Sequence, residues 1–153
     1  PSPNLPNPQS IRLYPSLCLF EGTAVSVGRG TDVPFQVLGH DTVNLGNFQF
    51  SPRPIKGAAL NPKLKGQALT GWDLRTNDTQ GLNLSFLLTW HQAFKTQNQT
   101  FFSHAKFFDK LAGTSSLRIA VEQGKQEDEI RADWRAGLQG FKVKRQAYLI
   151  YPE

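Results

Sequence analysis

The 153-residue sequence has one cysteine, three histidines and no methionine, and these shortages exclude several kinds of site. A single cysteine, Cys18, cannot form an intramolecular disulfide or a cysteine-based metal centre. The histidines at positions 40, 91 and 104 lack the H-x-x-x-H spacing of a helical zinc site. No apolar run approaches the length of a membrane span. We therefore expect no metal, no cofactor and no membrane-spanning segment.

The charge is only mildly basic, with 17 lysines and arginines against 12 acidic residues and a net charge of +5. The basic residues are spread along the chain, whereas a nucleic-acid interface normally clusters them. We therefore expect no nucleic-acid partner, and an acidic polysaccharide would satisfy this charge equally well. Hydrophobic residues make up 39% of the chain, which predicts one globular domain.

The first ten residues, PSPNLPNPQS, contain four prolines. Such a composition is typical of a stiff, extended linker. We predict a linker at residues 1–10 that leads to the domain at 11–153 and connects it to a further domain upstream. Pro15 then suits a turn or the start of a helix.

The first half of the chain has strand and loop patterns. Residues 34–39, 47–52 and 67–75 are predicted strands, because apolar and turn residues alternate or bound them. Gly71 predicts a bulge or a close approach within the third strand. Three prolines and two glycines make 52–66 a loop.

The second half of the chain has helical patterns. Apolar residues from 84 to 94 fall on two faces of one helix, which is therefore expected at the centre of the core. Two short helices follow, and acidic residues at 127–129 open a last helix. Its predicted buried side chains are Ile130, Trp134, Leu138 and Phe141, and Tyr148 and Tyr151 are also expected in the core. This segregation predicts an α+β fold, with a small sheet and a loop-rich N-terminal half packed against helices of the C-terminal half.

The segment from Leu19 to Phe35, LFEGTAVSVGRGTDVPF, is here called the motif loop. Its glycines let the backbone come close to a polar ligand, and consecutive N–H groups in such a turn accept anions. Arg29 offers a fork that fits a carboxylate or a phosphate. The pattern alone favours a hairpin or bulge turn with Glu21 and Arg29 exposed, because short motifs often match by chance. It is neither a P-loop nor a dinucleotide-binding fingerprint.

Two further features leave alternatives open. Asp73 and Arg75 share one face of a predicted strand, so they are either a surface pair, which the spacing slightly favours, or part of a cleft. Cys18 lies in the apolar run of residues 17–20 and is predicted to be a small buried hydrophobe rather than a nucleophile.

Three groups of residues, taken together, resemble one known family. They are residues 14–23 with Ser26, Gly28–Thr31 and Pro34–Phe35; residues 61–66 followed by 73–75; and residues 108–113 with Gly124, Ile130, Trp134 and 148–151. The family is the exo-acting β-N-acetylmuramidases of the NamZ type, glycoside hydrolases that release N-acetylmuramic acid from the non-reducing ends of peptidoglycan fragments. The resemblance covers nearly the whole chain after the first ten residues.

The resemblance implies that this chain is the C-terminal domain of such an enzyme. It also implies an N-terminal Rossmann-like domain that carries the proposed catalytic acid, so that this chain alone should be inactive. The implied substrate is a glycan from peptidoglycan, and the implied place is the bacterial cell envelope, periplasmic or secreted. The alternative is a non-catalytic carbohydrate- or cell-wall-binding module.

The resemblance shifts the interpretation of the motif loop from a turn to a binding site. It implies that Glu21 orients the substrate or acts as the second carboxyl group of a glycosidase pair. It implies that Arg29 and the backbone around it bind the lactyl carboxylate of muramic acid. The full set of expected substrate-binding residues is Gly22, Thr23, Ser26, Gly28, Arg29, Gly30, Thr31, Asp73 and Arg75.

Overall fold

The computed structural model describes residues 2–151, so the predicted linker's Pro1 and the last two residues of the predicted domain lie outside the described residues. The predicted α+β class is confirmed, with a small antiparallel sheet in the first half and helices mainly in the second. The described elements are α1 (Pro8–Leu17), a 3₁₀ helix (Cys18–Gly22), β1 (Val37–His40), β2 (Phe48–Phe50), β3 (Leu69–Asp73), α2 (Ser85–Thr96), α3 (Ala105–Ala112), α4 (Ser116–Glu122), α5 (Glu127–Arg145) and a 3₁₀ turn (Gln146–Tyr148).

Helix α1 begins within the segment that was predicted to be an extended linker. Asn7 caps it, because its side chain accepts from the Ser10 N–H at 2.9 Å while the Ser10 hydroxyl accepts from the Asn7 N–H at 3.3 Å. Pro8 occupies the first helical position, where no N–H is needed. Pro15 lies inside the last turns, so the expectation of a turn or helix start at Pro15 is wrong. The role of residues 1–10 as an interdomain linker stays a prediction.

The sheet has the strand order β1–β3–β2, and both pairings are antiparallel. In the central strand β3, Gly71 lies opposite Gly39 of β1. A Cβ atom on Gly71 would collide with the carbonyl oxygen of Leu38, so the predicted close approach at Gly71 is confirmed. Strand β1 begins at Val37, three residues later than predicted, because Phe35 has a positive φ of 55° that interrupts the extended backbone.

Helix α2 lies in the hydrophobic core with apolar residues on two faces, as predicted. Trp72 of β3 packs edge-on against Trp90, with 5.7 Å between ring centroids. On another side, Phe94 meets Phe101 at 5.3 Å. The buried side chains of α2 are Phe86, Leu87, Trp90 and Phe94.

Helix α5 covers the core only with its first turns. Ile130 is buried, and Trp134 is partly buried against the core, as predicted. Leu138 and Phe141 are 54% and 60% exposed, so their predicted burial is wrong. The helix extends beyond the hydrophobic core that its first turns cover. The expectation that Tyr148 and Tyr151 belong to the core is wrong for the same reason, since both are exposed.

Among residues 2–151, no helix combines the length and the apolar character that crossing a bilayer requires.

Candidate functional site

The motif loop starts with a compact 3₁₀ helix that is closed by Thr23. The Thr23 hydroxyl donates to the Phe20 carbonyl at 2.9 Å and accepts from the Val25 N–H at 3.2 Å. Ser26 then pairs with Gly39 of β1 through two backbone hydrogen bonds of 2.9 and 3.0 Å. The loop is therefore anchored to the sheet immediately before its glycine-rich turn.

A tight turn spans Gly28 to Thr31. The two glycines have φ values of 74° and 85°, which side chains rarely adopt. The Thr31 N–H donates to the Gly28 carbonyl at 3.1 Å, and the Gly28 N–H donates to the Ser26 hydroxyl at 3.3 Å. The segment is thus a tight turn, as the pattern favours, but Glu21 and Arg29, which were expected to be exposed, are paired and only partly exposed. Two of its N–H groups already have acceptors, so fewer donors remain for an anion than the sequence suggested.

Glu21 and Arg29 meet beside this turn. Arg29 Nη1 donates to Glu21 Oε1 at 2.7 Å, and Arg29 Nη2 lies 3.5 Å from the Ala58 carbonyl oxygen. The Arg29 side chain remains 39% exposed and that of Glu21 20% exposed. A guanidinium carries five N–H donors. The geometry therefore orients Arg29 and still leaves it donors for a ligand.

The ion pair faces a cavity of about 440 Å³. One wall comes from the motif loop. The facing wall comes from residues 52–66, the loop that precedes β3, which is here called the proline-rich loop. The lining residues are Glu21, Ser26, Val27, Arg29, Ala58, Ala59, Leu60, Asn61, Pro62 and Lys63. A cavity of this size falls within the range of small-molecule binding sites.

The structure brings three of the predicted site residues into this cavity, namely Glu21, Ser26 and Arg29. Gly30 and Thr31 line a neighbouring cavity of about 250 Å³, and Ala58 lines both.

Three other residues of the motif loop have structural contacts instead. The Gly22 carbonyl accepts from the His104 N–H at 3.0 Å, and a Cβ atom on Gly22 would collide with Phe108. Thr23 is fully buried, and Gly28 supplies the backbone conformation of the turn. Whether Gly22, Thr23 and Gly28 touch a substrate stays a prediction.

Asp73 and Arg75 form an ion pair at the end of β3. Arg75 Nη2 donates to Asp73 Oδ2 at 2.6 Å, and the guanidinium lies 5.1 Å from the centre of the Phe48 ring. The pair does not line the cavity beside Glu21. Arg75 keeps the pKa of Asp73 below its usual value through these hydrogen bonds. The geometry matches the surface alternative, and a role in substrate binding stays a prediction.

Two residues with reactive side chains pack into the protein instead. Cys18 is partly buried, and burial raises the pKa of its thiol, as expected for a small hydrophobe. His91 lies beside the rings of Phe101 and Phe102, at 5.5 and 5.8 Å, and burial lowers its pKa. Within the described part of the chain, no three His, Cys, Asp or Glu side chains come together in a metal-binding group.

Lys63 is a cavity residue that sequence reasoning missed. Its side chain reaches from the proline-rich loop to the carbonyl groups of the motif loop, and burial lowers its pKa to about 8. The sequence signal was the run of residues 61–66, which places two lysines among proline and glycine. Nothing in that run distinguishes Lys63 from Lys65.

The fold and the cavity define a class of protein: an α+β domain with a paired arginine and carboxylate lining a cavity. Residues 12–151 match the family described as "Exo-beta-N-acetylmuramidase NamZ, C-terminal". The chain therefore belongs to the C-terminal domain family of the exo-β-N-acetylmuramidases.

Individual relatives agree with this family. The chain is 31% identical, over 99% of its length, to the peptidoglycan β-N-acetylmuramidase NamZ of Bacillus subtilis, and it covers 40% of that protein. It is 41% identical to a DUF1343 family protein of Bacteroides fragilis whose crystal structure superposes with a TM-score of 0.86, covering 100% of this chain and 44% of the other. A second such structure from Bacteroides fragilis, at 18% identity, 99% and 44% coverage and a TM-score of 0.71, shares the fold. The chain thus spans about two fifths of the length of these relatives.

Proposed function

We propose that this chain forms one wall of the substrate cleft of a peptidoglycan exo-β-N-acetylmuramidase, which releases N-acetylmuramic acid from non-reducing ends. The observation that carries the proposal is the cavity with a Glu21–Arg29 ion pair. Family membership and the activity named for the Bacillus subtilis relative support it.

Arg29 is the proposed group that binds the lactyl carboxylate of muramic acid. Its guanidinium is held on one side by Glu21, so its orientation is largely fixed before a ligand binds. Pre-orientation lowers the entropic cost of binding, and an arginine–carboxylate pair is a strong, geometrically specific interaction. Ala59 and Leu60 add apolar surface for the methyl groups of such a sugar.

Glu21 is the proposed orienting or second carboxyl group of the reaction. Its Oε1 atom is occupied by Arg29, so it is better placed to hold that arginine or to act as a base than to deliver a proton. A glycosidase normally needs two carboxyl groups about 5–10 Å apart. Among the described residues that line the cavity, Glu21 is the sole carboxylate. The catalytic acid of the proposed enzyme would therefore come from another part of the protein.

We propose an N-terminal Rossmann-like domain as the source of that acid and a location in the bacterial cell envelope. The length of the relatives supports the first part of this proposal, because more than half of each lies outside the region that this chain covers. Under this proposal the present chain alone has no hydrolytic activity.

The test is hydrolysis of a chromogenic N-acetylmuramic acid glycoside by this chain and by a version extended at its N-terminus. Activity is expected only in the longer protein. In that protein, Arg29→Ala should lower kcat/KM on the muramic acid substrate more than on the matching N-acetylglucosamine substrate. Arg53→Ala is the control, because Arg53 is exposed and pairs with Asp32 at 3.0 Å outside the cavity. Equal losses on both sugars would disprove the carboxylate role.

A carbohydrate- or cell-wall-binding module without catalysis is the second candidate. It is favoured by one observation: this chain alone encloses a cavity with a part-exposed guanidinium. It predicts that the chain binds muramic acid-containing fragments at millimolar concentration and that the N-terminally extended protein does not hydrolyse the chromogenic glycoside. Hydrolysis by the extended protein would reject it.

A further inference from the structure

We propose that Lys63 is the positioning residue of this cavity: it donates hydrogen bonds to the backbone that carries Glu21 and so holds the Glu21–Arg29 pair in place. Lys63 Nζ donates to the carbonyl oxygens of Phe20 at 3.0 Å, Glu21 at 3.4 Å and Val25 at 3.2 Å, and it also contacts that of Thr23. The inference deepens the proposed function, on which it rests for the identity of the ligand.

The motif loop presents a cluster of carbonyl groups to the N–H donors of Lys63. Four of its carbonyl oxygens, on residues 20, 21, 23 and 25, converge on one position. Their dipoles place partial negative charges side by side away from bulk water, where unsatisfied polar groups are costly. The Lys63 ammonium neutralises this cluster with three N–H donors. Without Lys63, the carbonyl groups of residues 21, 23 and 25 would lose this donor, and the segment around Glu21 would open. The Phe20 carbonyl would keep its hydrogen bond from the Thr23 hydroxyl.

Opening of this segment would displace the ion pair directly. Lys63 holds the main chain of Glu21, and the Glu21 side chain in turn holds Arg29 at 2.7 Å. All three residues line the same cavity. The charge of Glu21 also favours the ammonium form of Lys63, whereas burial lowers the pKa of Lys63. Lys63 thus acts on the site through Glu21, and its effect should be seen there first.

Lys65 is a matched control in the same loop. It lies two residues further along the chain, is exposed, and its ammonium contacts the side chain of Asn61 at 3.2 Å. A change of Lys65 to methionine removes the same charge as the same change at Lys63. A difference between the two variants therefore reports the contacts with the carbonyl groups rather than the net charge.

The test compares Lys63→Met, Lys65→Met and the unchanged (wild-type) chain. It measures the carbon-13 NMR resonances of their carboxyl groups. In folded Lys63→Met we expect the Glu21 carboxyl signal to shift towards that of an unpaired glutamate. Glu127 pairs with Arg131 at 2.6 Å on α5 and serves as an internal reference that should not move. Lys65→Met should leave both signals in place. A purely structural Lys63 would lower the melting temperature of Lys63→Met and leave the Glu21 signal unchanged in the folded protein, which would overturn the proposal.

The unchanged chain provides a second measurement that does not depend on a folded variant. Raising the pH through the titration of Lys63 removes its charge, and the Glu21 signal should shift with the same midpoint as the Lys63 side-chain signals. A Glu21 signal that stays constant through that titration would overturn the proposal.

The proposed identity of the ligand is tested separately, by adding N-acetylmuramic acid and N-acetylglucosamine to the N-terminally extended protein. A selective response of the Arg29 signals to muramic acid supports the proposed function. Its absence would count against that function alone, since the response of Glu21 to Lys63 needs no ligand.

Discussion

The motif loop and the outer part of α5 both contain glycines and large apolar residues, but they differ in what surrounds them. The motif loop, with no regular strand of its own, is largely buried. It is hydrogen-bonded to the sheet, to His104 at the N-terminal end of α3 and to Lys63. The α5 tail is defined here as residues 137–151, which are the last turns of α5 and the residues after it. It is mostly regular helix, yet its large apolar side chains are exposed. Regular secondary structure is therefore a poor guide to which part of this chain is rigidly packed.

The difference shows that burial here follows from long-range contacts and not from local pattern. The loop is held by partners distant in sequence, such as Gly39 for Ser26 and Lys63 for Phe20. Helix α5 has a capping box at Gln126 and basic residues in its last turn, which support a helix without any neighbour. The following substitutions test this contrast, beginning with the largest expected effect.

Replacing a phenylalanine by alanine should be costly in the loop and nearly neutral in the tail. Phe20 is fully buried, so Phe20→Ala should lower the free energy of unfolding by about 3–5 kcal/mol. Phe141 is 60% exposed, and Phe141→Ala should change it by less than about 0.5 kcal/mol. Urea unfolding of both variants measures the difference. Similar costs would mean that the tail is packed in solution.

Adding one methyl group at Gly22 should destabilise the protein. The new Cβ atom would lie 2.6 Å from the Cβ of Phe108 and 2.7 Å from its Cα, so helix α3 would have to move. Overpacking of this kind costs about 1–3 kcal/mol. The midpoint of thermal unfolding of Gly22→Ala should fall accordingly, and an unchanged midpoint would show that α3 yields easily.

The part-buried Lys63 should make stability depend on pH. The pKa of Lys63 is about 8 in the folded chain and about 10.4 when unfolded. Between these values the unfolded chain holds more protons, so the free energy of unfolding rises with pH by up to about 1.4 kcal/mol per unit. Below pH 8 this dependence vanishes. Urea unfolding from pH 7 to 10 should show the rise in the unchanged chain and in Lys142→Met, and its loss in Lys63→Met. The same pH dependence in Lys63→Met would contradict the lowered pKa.

The smallest expected effect is a gain in stability from Gly140→Ala in the tail. A Cβ atom on Gly140 meets nothing within 4 Å, and the residue lies inside a helix. Alanine should therefore stabilise the helix by about 0.5–1 kcal/mol. Circular dichroism should show slightly more total helix, and urea unfolding should show a higher midpoint. A loss of stability instead would indicate that this surface contacts something in solution.

The period of the hydrophobic residues and the positions of turn residues predicted much of the fold. The strands and the central helix α2 lie where apolar spacing and turn residues predicted them. Pro15 was misleading, because a proline late in a helix removes one hydrogen bond without ending the helix when the helix packs well. The pattern of α5 identified its apolar face correctly, but a period cannot tell whether another element covers that face.

The sequence predicted only part of the candidate site. The glycines of the motif loop and its two charged residues indicated a turn that could hold an anion, and Glu21, Ser26 and Arg29 do line one cavity. Lys63 could not be selected, because its role depends on where a distant loop folds back. Gly22 was grouped with the binding residues, although its close packing against Phe108 already explains the absence of a side chain.

The contacts of Lys63 also bear on how the protein folds. They join the motif loop to a residue 38 to 43 positions further along the chain. Closing a loop of that length costs chain entropy before any contact compensates it, and such contacts slow folding. An isolated peptide of the motif loop would therefore lack the conformation seen here. The cavity is completed only when both loops have docked, so its formation should report a late step in folding.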